Sequence, residues 1–282
     1  MNGVDYTQAL EGASKTVTRA DGSKLHTIAL GSGGRPVLLA HGYGFTADEW
    51  NLVAPSLAER GLHVIAFDQR GHGRSTIGTD GIGSLQMASD YGAILEAYDA
   101  RDAILVGHSM GGFLGITFLV ERLEGADRVG AALLMATFAG DVNRKNPQNR
   151  LQIPLIKSGI LVKMLGIGAV GTLFTKSLTG DGYVPGYADA FVPTFRAQDH
   201  RSLVPILQAL VDENRYDKLG EIDLPCTIVV GSKDATTPPF HTADLHAGIP
   251  GSSLVTLDGK GHSLNWEAPE AIVEAIVKLA AA

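Results

Sequence analysis

The chain has 282 residues, of which 45% are hydrophobic and 19% charged, and its formal net charge is −7. That length can bury one large core within a single domain, while the acidic balance argues against nucleic acid, whose binding surfaces carry a basic excess. The single cysteine, Cys226, excludes an internal disulfide, and its neighbours Thr227 to Val230 place it in a strand. Met1 to Tyr6 show neither the basic start nor the apolar core of a leader peptide. The most apolar stretch, Ile153 to Val170, is interrupted by Lys157, Lys163 and several glycines, so a membrane span is a poor reading. The expectation is a cytoplasmic protein without stable membrane insertion, its oligomeric state left open.

In chain order, two alternating segments, Lys15 to Arg19 and Lys24 to Leu30, flank Asp21-Gly22 and predict an antiparallel hairpin at a sheet edge. Apolar runs at Pro36 to Ala40, His63 to Phe67, Ala103 to Val106, Ala131 to Ala136, Thr227 to Val230 and Ser253 to Leu257 predict central strands buried on both faces. Between them, Glu49 to Arg60, Met87 to Tyr98, Phe113 to Leu123, Leu203 to Asn214, His241 to Ala247 and Pro269 to Ala280 predict helices. This alternation specifies an α/β fold: a mostly parallel central sheet of about eight strands with helices on both faces. From Asp141 to His200 the rhythm stops, and an excursion that long predicts a helical cap over residues 141–200. The cap would be inserted in a core formed by residues 1–140 and 201–282, all within one domain. Between Asp141 and Lys176 six basic residues (Arg144, Lys145, Arg150, Lys157, Lys163, Lys176) face one acid. This reads either as a solvated outer surface or as a lid that meets an amphiphilic or anionic substrate.

The chemistry centres on Gly107-His108-Ser109-Met110-Gly111-Gly112, which follows a strand-like run and opens a helix-like one. Glycines around a serine at a sharp strand-to-helix turn form a nucleophile elbow, which presents the hydroxyl to a substrate. A serine hydroxyl is a weak nucleophile and needs a base, itself oriented by a third group. Of the nine histidines, His262 is the choice, because it sits in a glycine-flanked loop at the C-terminal end of the last strand. His108 adjoins the serine but should point elsewhere, and His41 and His72 read as hydrogen-bonded structural histidines. Asp234, on the loop after Thr227 to Val230, is the orienting acid, with Asp141 as alternative and Asp258 less suited because it shares the loop of His262. The order Ser109, Asp234, His262 is the one this elbow architecture uses. The backbone N–H groups of Met110 and Tyr43, with Gly44 behind the latter, are the expected oxyanion hole.

Five pieces of the chain, in order, resemble the α/β-hydrolase superfamily. They are His41-Gly42 with Trp50 downstream, Asp68-Gln69-Arg70-Gly71-His72-Gly73-Arg74-Ser75, the elbow at Ser109, Gly231-Ser232-Lys233-Asp234, and Gly261-His262. The resemblance covers nearly the full length. It implies that Asp68 to Ser75 is a structural turn with Arg70 buried and hydrogen-bonded, and that the excursion is the variable cap. It also implies that Ser109 excludes the carboxylate-nucleophile chemistry of related epoxide hydrolases and haloalkane dehalogenases. The expected activity is a serine carboxylesterase or small lipase acting on a small-molecule ester with an apolar part. No metal or organic cofactor is expected. The alternatives are thioesterases, perhydrolases or haloperoxidase-like proteins, carbon-carbon bond hydrolases, and a small-ligand receptor on the same fold. Tyr43, Met164, Leu165 and Phe174 are the pocket candidates, within a cap that also carries Ile153, Leu155, Ile156, Ile160, Leu161 and Leu173.

Overall fold

The computed structural model describes residues 4–281; Met1 to Gly3, where the case against a leader peptide begins, lie outside the described residues, as does Ala282. Eight strands form one sheet: β1 (Ala13–Thr18), β2 (Lys24–Leu30), β3 (Pro36–Ala40), β4 (His63–Phe67), β5 (Ala103–His108), β6 (Val129–Met135), β7 (Cys226–Gly231) and β8 (Ser253–Leu257). Their spatial order is β1-β2-β4-β3-β5-β6-β7-β8. β1 pairs antiparallel with β2 and β2 with β4, while the remaining pairs are parallel.

The period of two sorts the strand residues into two cores. Val37, Leu39, Val64, Ala66, Ile104, Val106, Ala131 and Leu133 pack on one face, with α1 (Val53–Glu59) and α11 (Pro269–Ala280). Leu38, Ala40, Ile65, Phe67, Ala103, Leu105, Ala132 and Leu134 pack on the other, with α2 (Ser84–Ala97), α3 (Met110–Val120) and α9 (Pro239–Gly248). Helix α3 is buried along its whole length, which accounts for a sequence apolar on every side. Two expectations need correction. Ser253 to Leu257 is not buried on both faces: β8 ends the sheet, so one flank has no neighbouring strand and Ser253, Thr256 and Val255 reach solvent. Glu49 to Arg60 is not one helix but a 3₁₀ turn, Ala47–Trp50, followed by α1. Pro55, lacking an N–H and crowding the carbonyl four residues back, confines the α-helix to a start near Val53.

Residues 141–200 hold α4 (Pro147–Lys157), α5 (Ile160–Met164), α6 (Gly168–Ser177) and α7 (Pro185–Ala197). The chain returns to the sheet through α8 (Val204–Asp212) and closes through the short α10 (Leu264–Glu267), just after His262. Arg70 is buried, holding Asp90 through two bonds of 2.9 and 2.8 Å and Asp21 through its remaining nitrogen. Among the described residues no helix is long and apolar enough to cross a membrane.

Candidate active site

The sheet reverses its strand order between β3 and β5, and at such a crevice the loops beyond the strand C-termini converge. Register sets Ala40 beside Gly107, so the loop after β3 lies against the elbow after β5. Ser109 caps α3 with φ 52° and ψ −118°, a left-handed conformation that a non-glycine residue holds only under constraint. The constraint is visible in its bonds: Ser109 N–H donates to Met135 C=O at 3.0 Å, and its own carbonyl accepts from Thr137 Oγ1 at 2.6 Å. Glycine is obligatory two residues on, because a Cβ at Gly111 would lie 2.3 Å from the Ala40 carbonyl oxygen.

Asp234, not Asp141 or Asp258, is the carboxylate bonded to His262. Its Oδ2 accepts from His262 Nδ1 at 2.9 Å and from Thr237 Oγ1 at 2.8 Å. Its Oδ1 accepts the N–H groups of Thr236 and Thr237, each at 2.8 Å, so the loop wraps the carboxylate in an Asx-type turn. Four donors satisfy a buried acid and fix the His262 tautomer with its proton on Nδ1. His262 and Ser109 line one cavity, and their side chains are not hydrogen-bonded to each other in this structure. Thr237 was not anticipated, although hydroxyl residues two and three places after an aspartate carry a readable turn signature.

Met110 is the first residue of α3, and its N–H is among those a helix leaves without an internal partner. Among the described residues neither it nor the N–H of Tyr43 donates to another backbone group. The Tyr43 hydroxyl, by contrast, is engaged: it donates to His200 Nδ1 at 2.7 Å, and His200 Nε2 donates to Phe195 C=O at 2.6 Å. His41 is structural, with Nδ1 on the Gly42 carbonyl at 2.7 Å and Nε2 accepting the Gln69 N–H at 2.9 Å. Burial holds its pKa down to about 4, so the ring is neutral. His72 is likewise buried and held well below the ordinary histidine range by desolvation, its Nδ1 3.2 Å from Arg70 C=O.

His108 does not simply turn away. Its ring lines the cavity, 4.8 Å centroid to centroid from the ring of His262, but its Nε2 is hydrogen-bonded elsewhere and its Nδ1 faces a carboxylate. Nδ1 is 2.5 Å from Glu49 Oε1 and Nε2 is 3.0 Å from the His262 carbonyl oxygen.

The cavity holds about 710 Å³ of unoccupied space, its open mouth included. Tyr43 and Phe174 line it; Met164 and Leu165 do not. Met164 ends the five-residue α5 on its outer side, 41% exposed, while Leu165 is buried in the apolar core. Apolar residues one position apart on a helical stretch point in different directions, and here neither direction is the cavity. The apolar walls come instead from Ile153 and Ile156 of α4, Phe191 and Phe195 of α7, and Leu207 and Leu210 of α8. Among the described residues no Lys, Arg, Asp or Glu side chain lines the space. Among the described residues no group of three or more His, Cys, Asp or Glu side chains is arranged to hold a metal ion.

A strained serine at a strand-to-helix elbow beside an acid-coupled histidine, on an eight-stranded sheet of this order, defines an α/β-hydrolase. Residues 37–275 match the alpha/beta hydrolase family, and the chain belongs to that family. Non-heme chloroperoxidase CPO-A1 of Kitasatospora aureofaciens is 29% identical over 239 residues, which is 82% of this chain and 86% of that relative. Among solved structures, an esterase (EaEST) from Exiguobacterium antarcticum superposes with a TM-score of 0.83 at 22% identity, covering 96% of this chain and all of that one (100%). A bromoperoxidase from Bacillus anthracis gives a TM-score of 0.84 at 22% identity, with coverage of 96% and 100%. At that identity the two structures speak for the fold.

Proposed function

We propose that this α/β-hydrolase cleaves neutral carboxylic esters through an acyl-enzyme on Ser109. The observation that carries the proposal is the shared cavity of Ser109 and an Asp234-bonded His262 within walls that bear no charged carboxylate, ammonium or guanidinium group. Such walls favour an uncharged, largely apolar substrate, since burying an unpaired charge is costly. His262 Nε2 takes the Ser109 proton as Oγ attacks the ester carbonyl, and the tetrahedral oxyanion is held by the N–H groups of Tyr43 and Met110. The imidazolium returns the proton to the leaving alcohol. Water, deprotonated by the same nitrogen, then attacks the acyl-enzyme, and as the second tetrahedral intermediate collapses the imidazolium returns that proton to Ser109 Oγ, releasing the acid. Asp234 stays ionised throughout and stabilises the imidazolium. Catalytic hydrogen bonds in such sites are often long or poorly aligned before substrate arrives and tighten in the complex. An acid-quenched reaction with p-nitrophenyl acetate, digested and weighed, is expected to show one acetyl group on the peptide that contains Ser109. Acetyl on another peptide, or none, would overturn the proposal.

The haloperoxidase names of relatives support a second reading, in which hydrogen peroxide replaces water in the second half-reaction and leaves as a peracid. Peroxide-dependent bromination of a phenol dye that requires both a carboxylic acid and Ser109 would favour it.

A further inference from the structure

We propose that Glu49 and His108 form a buried positioning pair that fastens the Tyr43 loop and the His262 loop to the elbow, and so sets the reactivity of Ser109. This rests on the reading of Ser109 as the nucleophile. Both side chains are fully buried. Glu49 Oε2 accepts the N–H of Gly42 at 2.8 Å, which fixes the His41–Gly42 peptide, one peptide ahead of the Tyr43 N–H. Glu49 Oε1 meets His108 Nδ1 at 2.5 Å, and the far nitrogen of the same ring reaches the His262 carbonyl oxygen at 3.0 Å. A further bond, from Asn265 Nδ2 to the Glu49 carbonyl at 2.7 Å, ties the segment after His262 to the same residue. Three loops that must hold a base, a nucleophile and an oxyanion donor in register thus meet on one carboxylate and one imidazole.

The packing leaves little slack. A Cβ on Gly42 would lie 3.0 Å from His108 Nδ1, and Phe45 packs edge-on to the ring with centroids 6.2 Å apart. The hydrogen-bond chemistry is also restrictive. A carbonyl can only accept, so His108 Nε2 must carry a proton. Nδ1 faces Glu49 Oε1 as a close charge contact out of hydrogen-bond alignment. Desolvation opposes the charged ring, but the close contact with Glu49, the His262 carbonyl and the more distant Asp234 outweigh it, and the pKa of His108 is raised. The His262 ring packs against the His108 ring at 4.8 Å, and repulsion with His108 adds to the burial that keeps His41 neutral. The catalytic chemistry assigned to Ser109, Asp234 and His262 needs neither Glu49 nor His108 as an acid or a base, so their burial together calls for another role.

The test is the second-order rate at which an alkyl fluorophosphonate labels Ser109. That reaction needs a positioned base and oxyanion donors but no ester turnover. Glu49→Gln and His108→Gln are compared with the parent at matched thermal stability, together with the double variant. His108→Gln keeps an amide donor within reach of the His262 carbonyl, so it remains informative if Glu49→Gln folds poorly. Each single variant is expected to slow labelling at least tenfold, with kcat on an ester falling in parallel and KM changing less than threefold. The double variant is expected to be no slower than the worse single one, the mark of two residues acting as a unit. Parental labelling rates in His108→Gln, or multiplicative slowing in the double variant, would overturn the pairing. Loss of the ester reading would look different: Ser109 labelled at the parental rate by the phosphonate, with no ester hydrolysed.

Discussion

The Tyr43 hydroxyl lies 2.7 Å from His200 Nδ1, which fastens the loop carrying one proposed oxyanion donor to the far end of the helical excursion. Since His200 donates its other N–H to Phe195 and burial lowers its pKa, Nδ1 is an acceptor and the tyrosine is the donor. Tyr43→Phe removes that bond and leaves the backbone N–H in place. The expected outcome is a stability loss of about 1 kcal/mol in urea unfolding and a kcat within tenfold of the parent. A fall as deep as that of Ser109→Ala would show that the side chain itself takes part in the reaction.

Thr237 and Asp234 offer a graded test of the acid. Asp234→Asn leaves the imidazole with the wrong tautomer preference, and a loss of roughly 10³ to 10⁴ in kcat is expected by analogy with serine proteases. Thr237→Val removes one of the donors to Asp234 and keeps the two backbone N–H bonds, so a loss of about tenfold or less is expected. Steady-state kinetics of the two variants would contradict this account if their losses were equal.

Acid should destabilise the fold before most carboxylates titrate. His41 and His241 have their pKa held to about 4, chiefly by burial, whereas the unfolded chain protonates its histidines near 6.5. Between those values the unfolded state binds more protons, so stability present above pH 6.5 is lost as pH falls toward 4, by roughly 3 kcal/mol for each ring. The raised pKa of His108 acts in the opposite direction and offsets part of this. Unfolding free energy measured in urea is expected to drop by several kcal/mol from pH 7 to pH 4.5. A flat profile would contradict the assignment of neutral buried histidines.

Cavity shape separates two kinds of residue within 141–200. Phe191→Ala removes a wall of the cavity and is expected to raise KM for medium-chain esters severalfold. Met164→Ala, on an exposed position outside the cavity, is expected to leave KM within twofold. Equal effects in chain-length-resolved kinetics would show that the cap binds substrate in another arrangement.

Gly111→Ala probes the elbow itself. The added methyl would meet the Ala40 carbonyl at 2.3 Å, against backbone that cannot rotate away. A stability loss of about 2 kcal/mol or more is expected, together with a large loss of kcat, since β3 and α3 must separate. An unchanged melting temperature would contradict the close approach.

Much of the fold could be read from the chain because most of the parallel strands are short, nearly continuous apolar runs. Pro36 to Ala40 and His63 to Phe67 fall where the sequence pattern puts them. Strand β8 misled because an apolar run does not reveal whether a further strand flanks it. The Asp234 to His262 bond was legible for a topological reason: both residues follow adjacent parallel strands and emerge at the same sheet edge. Their catalytic parts are proposed on chemistry. Glu49 and His200 left no local trace, since their partners His108 and Tyr43 are far away in sequence and nothing periodic links them. Met164 and Leu165 were misplaced because α5 is too short for apolar spacing to identify a face.

The most direct measurement is hydrolysis of p-nitrophenyl esters from acetate to palmitate by the purified protein, with Ser109→Ala measured alongside. Turnover with an optimum in chain length is expected, reduced by the substitution to the background rate. Turnover that survives Ser109→Ala, or none from the folded parent on any chain length, would contradict a serine esterase.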